Sequence, residues 1–313
     1  MLLLLSLRGE TKPGIRCLCI SIWLFSPFTA TISTRGNGEA VVVCMLMGLL
    51  YMLETDQIFW AAILYGIAVH WRIYPIVFAP SILIYLASKK SGTSGTKIKF
   101  HERFFSWKGI FFGFVSGSVF LTLGGIMHAL YGMEFLEETY LYHSSRVDPR
   151  HNFSPYFYPA YLRAGKIGTE DVSWSQLGDA GFIFGILGMA MQIVIAYHTA
   201  AKDLATTFMV QSMAFVAFNK VSTAQYFVWY LCWVSVTLPK MLSCGTPREK
   251  HNLLSATIAW PIALAHWLGW AYLLEFQGYP VHLYIWVAGI VFFFTNMWCI
   301  VSVLKSTKRV QSV

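Results

Sequence analysis

The stretch Gly109-Ile110-Phe111-Phe112-Gly113-Phe114-Val115-Ser116-Gly117-Ser118-Val119-Phe120-Leu121-Thr122-Leu123-Gly124-Gly125-Ile126-Met127-His128-Ala129-Leu130-Tyr131 contains no Asp, Glu, Lys or Arg. A helix of this length, rising ~1.5 Å per residue, crosses the ~30 Å hydrocarbon core of a bilayer. The run 281–304 reads the same way. Outward from these two, further apolar runs cover 15–34, 39–53, 58–69, 75–87, 180–199, 204–218, 225–242 and 253–273. Several are shorter than the ~20 residues of a straight span. The runs 58–69 and 75–87 are separated only by His70-Trp71-Arg72-Ile73-Tyr74, and Pro75 enforces a turn between two short helices.

Composition excludes a soluble protein of the same length. Hydrophobic residues make up 56% of the 313 and charged residues 12%, against about 25% charged in an ordinary soluble domain. Mean hydropathy is +0.55. The expected fold is an all-α polytopic membrane protein with about ten short membrane helices. The six Cys have no metal-ligand spacing and lie mostly in apolar runs, where they read as packing thiols. No metal ligands are assigned. Residues 1–7, MLLLLSL, form too short an apolar core for a signal peptide.

The net charge of +8 belongs to loop asymmetry rather than to nucleic acid. One face collects Arg8, Lys12, Arg16, Lys89, Lys90, Lys97, Lys99, Arg103, Lys108, Lys202, Lys240, Arg248, Lys250, Lys305, Lys308 and Arg309, which is 16 of the 23 Lys and Arg. The other seven are Arg35, Arg72, Arg146, Arg150, Arg163, Lys166 and Lys220. The positive-inside rule makes the richer face cytoplasmic, with ten crossings and both termini on that side.

The opposite, lumenal face carries five dense polar-aromatic clusters: Ser33-Thr34-Arg35-Gly36-Asn37, His70-Trp71-Arg72-Ile73-Tyr74-Pro75, the long segment 133–178, Phe218-Asn219-Lys220 and Leu274-Glu275-Phe276-Gln277-Gly278. Singly, each fits snorkelling and an aromatic belt; together they point to one shared site. Within 133–143, Met133, Leu136, Tyr140 and His143 share one helical stripe and Glu134, Glu137 and Glu138 another, which predicts a helix along the lumenal surface or an extension of the preceding span. The following Arg146-Val147-Asp148-Pro149-Arg150-His151-Asn152-Phe153-Ser154-Pro155-Tyr156-Phe157-Tyr158-Pro159 sets cations beside aromatic rings. Arg holds phosphate bidentately and His adds a charge-assisted bond. Asn152-Phe153-Ser154 is a sequon, but Pro155 and the nearby membrane argue against its use. His128, Gln192, Gln211 and His266 lie inside apolar runs and read as interhelical hydrogen-bond partners.

Five blocks together resemble one family. The segment 146–158 is similar to the R-x-D-x-R-H-N-F-S-P-Y-F-Y segment of GPI mannosyltransferase I, the PIG-M family. Residues 33–37 resemble its SSRGN, 69–75 its VH-x-K-I-Y-P, 218–230 its FNKV-x-T-S-Q-Y-F-x-W-Y and 274–278 its LEFQG, in the family's order. The resemblance implies a GT-C-like multi-span helical domain over 17–313, a site on the lumenal face of the endoplasmic reticulum membrane, and residues 1–16 as a segment outside the family pattern. It implies transfer of mannose from dolichyl-phosphate-mannose, a substrate rather than a cofactor, to glucosaminyl-(acyl)phosphatidylinositol. The product is the first, α1,4-linked mannose of the GPI core. A small single-span stabilising subunit of PIG-X type is the implied partner.

The donor- and acceptor-binding candidates are Arg35, Asn37, His70, Arg72, Tyr74, Arg146, Arg150, His151, Asn219, Lys220, Gln225 and Tyr226. Inversion at the sugar calls for a carboxylate base and for cations at the leaving phosphate. The family assigns the base to a D-x-D motif in its first lumenal loop. The Asp residues here are Asp56, Asp148, Asp171, Asp179 and Asp203, and no two have that spacing. The chain therefore reads as an N-terminally shortened family member; the alternative to the transferase reading is a catalytically impaired member that retains only partner or substrate binding. Asp148 is the remaining lumenal candidate for the base, although Pro149 and two flanking Arg fit a loop-stabilising ion pair as well. An ion-coupled transporter would want midplane acids and repeat symmetry, neither of which is evident.

Overall fold

A computed structural model describes residues 1–10, 12–90, 105–142, 148, 150–167 and 178–307, with backbone alone at 90, 166–167 and 178–185. Among the described residues the fold is all helical. The α-helices are α1 Leu2–Leu7, α2 Pro13–Leu24, α3 Pro27–Thr34, α4 Glu39–Glu54, α5 Ile58–Trp71, α6 Ala79–Lys90, α7 Trp107–Tyr131, α8 Met133–Leu136, α9 Phe157–Ile167, α10 Gly178–Thr199, α11 Leu204–Phe218, α12 Val228–Ser243, α13 Pro247–Gln277 and α14 His282–Thr307. Short 3₁₀ segments at Tyr74–Phe78 and Ala224–Phe227 precede α6 and α12.

All ten apolar runs fold as helix, but their lengths do not make ten full spans. Among the described residues, α7, α13 and α14 are long and apolar enough to cross a bilayer, and the pair α2 and α3, bent by 46°, makes a fourth if counted as one. Pro27 at the first position of α3 sets that bend. Gly132, at φ 71°, separates α7 from α8, which runs into a one-turn π-helix at Glu137–Leu141. Leu136 and Tyr140 on this stretch are half-buried and Glu134, Glu137 and Glu138 are exposed, but Met133, on the same stripe as Leu136, is exposed as well. His143 lies outside the described residues.

The chain divides into two compact units. The first comprises Met1–Tyr140, Gln192–Ser212 and Val228–Pro239. Its core holds Leu46, Leu49, Leu50, Leu53, Phe78, Phe208 and Trp233, with Phe78 and Phe208 ring centroids 4.4 Å apart. α5 meets α7 at Gly66, where a Cβ would lie 2.6 Å from the Ser116 carbonyl oxygen and 2.8 Å from Val119 Cβ. Gln211 is the interhelical partner its position predicts: Oε1 accepts from Ser81 Oγ at 2.6 Å and Nε2 donates to the Val77 and Gln192 carbonyls at 3.1 Å.

Residues 1–16 belong to this first unit, with Leu4 and Leu5 buried. Arg8 bridges Glu54 at 2.6 Å and Asp203 at 2.7 Å, and Lys108 meets Asp56 at 3.2 Å. These cations belong to the richer face of the charge count, and each finds a carboxylate at a helix end or in a short connection.

The second unit comprises Leu141–Met191, Met213–Phe227 and Lys240–Val313. α13 starts at a capping box, with Glu249 N–H donating to Thr246 Oγ1 at 3.3 Å and Pro247 in the first turn. It ends at Gly278, whose φ of 71° turns the chain back into α14. Phe153, Phe227, Trp260, Trp267 and Phe292 pack together in this unit. His128 and His266 depart from the interhelical reading. His128 Nδ1 lies 2.9 Å from the Gly132 carbonyl, and Trp270 Nε1 donates to His266 Nε2 at 3.0 Å. Both contacts are four residues apart in sequence, so local helix-face geometry satisfies these rings before a neighbouring helix does.

Candidate functional site

The first unit builds one cluster where α3 hands over to α4 and α5 breaks at Arg72. Arg72 has extended backbone at the end of α5 and turns its side chain toward the start of α4. Its Nη2 donates to Asn37 Oδ1 at 3.3 Å and lies 3.1 Å from Glu39 Oε1. Glu39 is the first residue of α4 and is fully buried, at 0% exposure. Its other oxygen, Oε2, accepts the Trp229 indole N–H at 2.6 Å. The Trp229 ring stacks on Tyr74, with centroids 3.9 Å apart and planes 4° from parallel. A buried carboxylate is tolerable only with such partners, and the positive end of α4 adds to them.

His70, two residues before Arg72 on α5, meets a separate group of rings. Its Nδ1 lies 2.9 Å from Tyr140 Oη, and its ring contacts Phe120 and Phe135. Asn37, Arg72 and Tyr74 are thus linked through Glu39 and Trp229, while His70 contacts Tyr140, Phe120 and Phe135. Arg35 is exposed at the end of α3 and, among the described residues, makes no side-chain hydrogen bond or ion pair. Glu39 and Trp229 were not singled out. The available signal for Glu39 was a lone carboxylate opening an apolar run, two residues after Asn37.

The second unit builds its cluster on the segment 148–158. Asp148 Oδ1 accepts the Arg150 N–H at 3.0 Å. Asn152 Nδ2 donates to the Arg150 carbonyl at 3.2 Å, and Ser154 N–H donates to Asn152 Oδ1 at 2.8 Å. Ser154 Oγ donates to the Asn219 carbonyl at 2.9 Å, and Phe153 N–H to the Ser222 carbonyl at 3.0 Å. Asn152, Phe153 and Ser154 are all buried, so this part of the motif is scaffolding that docks the loop against 219–222. Burial of Asn152 also leaves the sequon no room for a glycan.

What this scaffold presents is a set of cations and rings. Arg150 is exposed, and His151 and Lys220 are half-buried. His151 Nδ1 lies 3.2 Å from Glu275 Oε1, and its ring packs 5.8 Å from Trp267. Glu275, at the end of α13, thereby meets the His151 ring. Partial burial lowers the Lys220 ammonium from its ordinary 10.5 to about 8. Gln225 and Tyr226 are half-buried on the 3₁₀ turn beside it. Tyr158, Tyr161 and His282 add stacked rings, with Tyr161 and His282 4.4 Å apart. Arg146 lies outside the described residues. Among the described residues, no three His, Cys, Asp or Glu side chains group as a metal site.

The first cluster therefore holds a partly exposed guanidinium, and the second sets basic side chains beside aromatic rings, the chemistry that grips a phosphate and the apolar side of a sugar. A family profile described as Mannosyltransferase (PIG-M) matches residues 32–304. The GPI alpha-1,4-mannosyltransferase I catalytic subunit of Danio rerio is 36% identical over 306 residues, covering 97% of this chain and 73% of that protein. GPI mannosyltransferase 1 of Dictyostelium discoideum is 32% identical, covering 94% of this chain and 68% of that protein. The Saccharomyces cerevisiae protein of the same name is 35% identical, with 95% and 71% covered.

Proposed function

The chain belongs to the PIG-M family of mannosyltransferases, and on that premise we propose how its residues serve the family's reaction. It is a GPI mannosyltransferase I, a glycosyltransferase that adds the first mannose of the GPI anchor. We read the donor as dolichyl-phosphate-mannose and the acceptor as glucosaminyl-(acyl)phosphatidylinositol. The setting is a GT-C-like, multi-span fold in the endoplasmic reticulum membrane, with residues 17–313 as the transferase domain and α8 along the lumenal surface. The Danio rerio relative is named a catalytic subunit, and by the same resemblance this chain works beside a small single-span stabilising subunit. The single observation that carries the reading is the family match over 32–304, which takes in both clusters.

The chemistry assigns the parts. A β-linked mannosyl phosphate becoming an α-mannoside inverts in a single displacement. The sugar gains oxocarbenium character while the phosphate gains charge. Arg72, Arg146, Arg150, His151 or Lys220 supplies the cation for that phosphate. Asn219, Gln225 and Tyr226 supply hydrogen bonds to sugar hydroxyls, and Arg35 and Asn37 border the Arg72 side. A carboxylate must take the acceptor proton, a contribution of about 10²–10⁴-fold. Asp148 is the candidate within this sequence, and its Oδ1 also shapes the loop through Arg150 N–H.

The test is rescue of surface GPI-anchored protein in cells lacking GPI mannosyltransferase I, at matched protein level. The chain as given is compared with the same chain preceded by a family N-terminus bearing D-x-D. Rescue by the extended version alone assigns the base to D-x-D. Rescue by the chain itself places the base among its own carboxylates, with Asp148 the first candidate, and Asp148→Asn, which keeps an acceptor for Arg150 N–H, then abolishes rescue. No rescue by either overturns the reading.

A further inference from the structure

One fully buried carboxylate in the first unit belongs to a residue with no part in the proposed chemistry. Glu39 is 0% exposed and so cannot touch a substrate. Its Oε2 is held by Trp229 at 2.6 Å, and Trp229 is itself clamped flat against Tyr74. Its Oε1 faces Arg72 Nη2 at 3.1 Å. The Arg72 side chain is 40% exposed, and among the described residues only Nη2 is engaged. A guanidinium carries five N–H donors in one plane. Fixing Nη2 against a rigid carboxylate fixes the direction of the remaining donors as well.

We propose that Glu39 is a positioning residue: through Nη2 it aims the Arg72 guanidinium so that its outward N–H donors take two oxygens of a prenyl phosphate. The inference rests on the reading above that Arg72 meets the lipid-linked phosphate. An exposed Arg samples many rotamers, and ordering it on binding weakens affinity. A buried carboxylate does that ordering in advance. Charge alone predicts the opposite sign, because removing Glu39's negative charge would make the cluster more attractive to an anion.

The test is a thermal-shift titration of the purified full chain in detergent with a short-chain prenyl phosphate. Wild type, Glu39→Gln, Arg72→Lys and the double variant are compared. The wild type is stabilised by ligand. Glu39→Gln, whose amide oxygen still accepts the Trp229 N–H, keeps its ligand-free melting temperature but needs about 2–10-fold more ligand for half its shift. The double variant is no weaker than Arg72→Lys, since both changes remove one function. Glu39→Asp keeps the charge but retracts the carboxylate by one methylene. It gives the same loss in smaller measure, and it carries the test if the Gln variant does not fold. Variants at Glu39 that titrate like wild type, or more tightly, overturn the positioning role. So does a fall in ligand-free melting temperature with unchanged half-saturation, which makes Glu39 a buttress only. A wild type with no shift overturns the parent reading and the inference with it.

Discussion

Lys220 is the residue whose role the pH axis can read. Burial lowers its ammonium to about 8 from 10.5. Between those values the unfolded chain holds a proton that the folded chain has released, so stability rises with pH across that window, and the desolvated charge costs stability below it. Phosphate binding runs the other way, because the contact needs the proton. One pH unit above its pKa a group is about 10% charged. The KM for the donor in the wild type therefore rises up to about tenfold between pH 7 and pH 9. Lys220→Arg, charged throughout this range, flattens that profile. A wild-type KM that does not change over the same range removes Lys220 from the phosphate contacts.

At the scale of elements, short helices are held by close approaches rather than by length. α5 reaches α7 only because residue 66 has no side chain: a Cβ there would sit 2.6 Å from a carbonyl oxygen and 2.8 Å from Val119 Cβ. Gly66→Ala is expected to cost about 1–3 kcal/mol as overpacking, seen as a lower melting temperature of the purified chain in detergent. An unchanged melting temperature would mean that α5 and α7 separate at no cost. α1 has a different anchor, Arg8 between Glu54 and Asp203, which ties the N-terminal residues to the ends of α4 and α11. Prediction of ten helical runs succeeded because hydropathy is a local property. The number of crossings is not a local property, because a bend such as the 46° between α2 and α3, with Pro27 opening α3, decides whether two helices make one span.

At the scale of the whole molecule, the cations of the candidate site were legible and their supports were not. Arg72, His70 and Asn37 stood out as polar residues at helix breaks, a pattern that composition exposes directly. Glu39 did not, since a single carboxylate opening an apolar run becomes meaningful only when Trp229, 190 residues away, donates to it. Asn152 and Ser154 were read with the phosphate-gripping loop, yet their side chains are spent on backbone contacts. Motif membership marks both reactive and scaffolding residues, and burial alone separates them. The measurement that tests the central claim is transfer of labelled mannose from dolichyl-phosphate-mannose to a synthetic glucosaminyl-phosphatidylinositol. It uses membranes carrying whichever version of the chain rescues GPI-deficient cells, with Arg72→Lys alongside. Labelled product, with a donor KM about tenfold higher for Arg72→Lys at similar protein level, is the predicted result. A donor KM that Arg72→Lys leaves unchanged, or no labelled product, would contradict it.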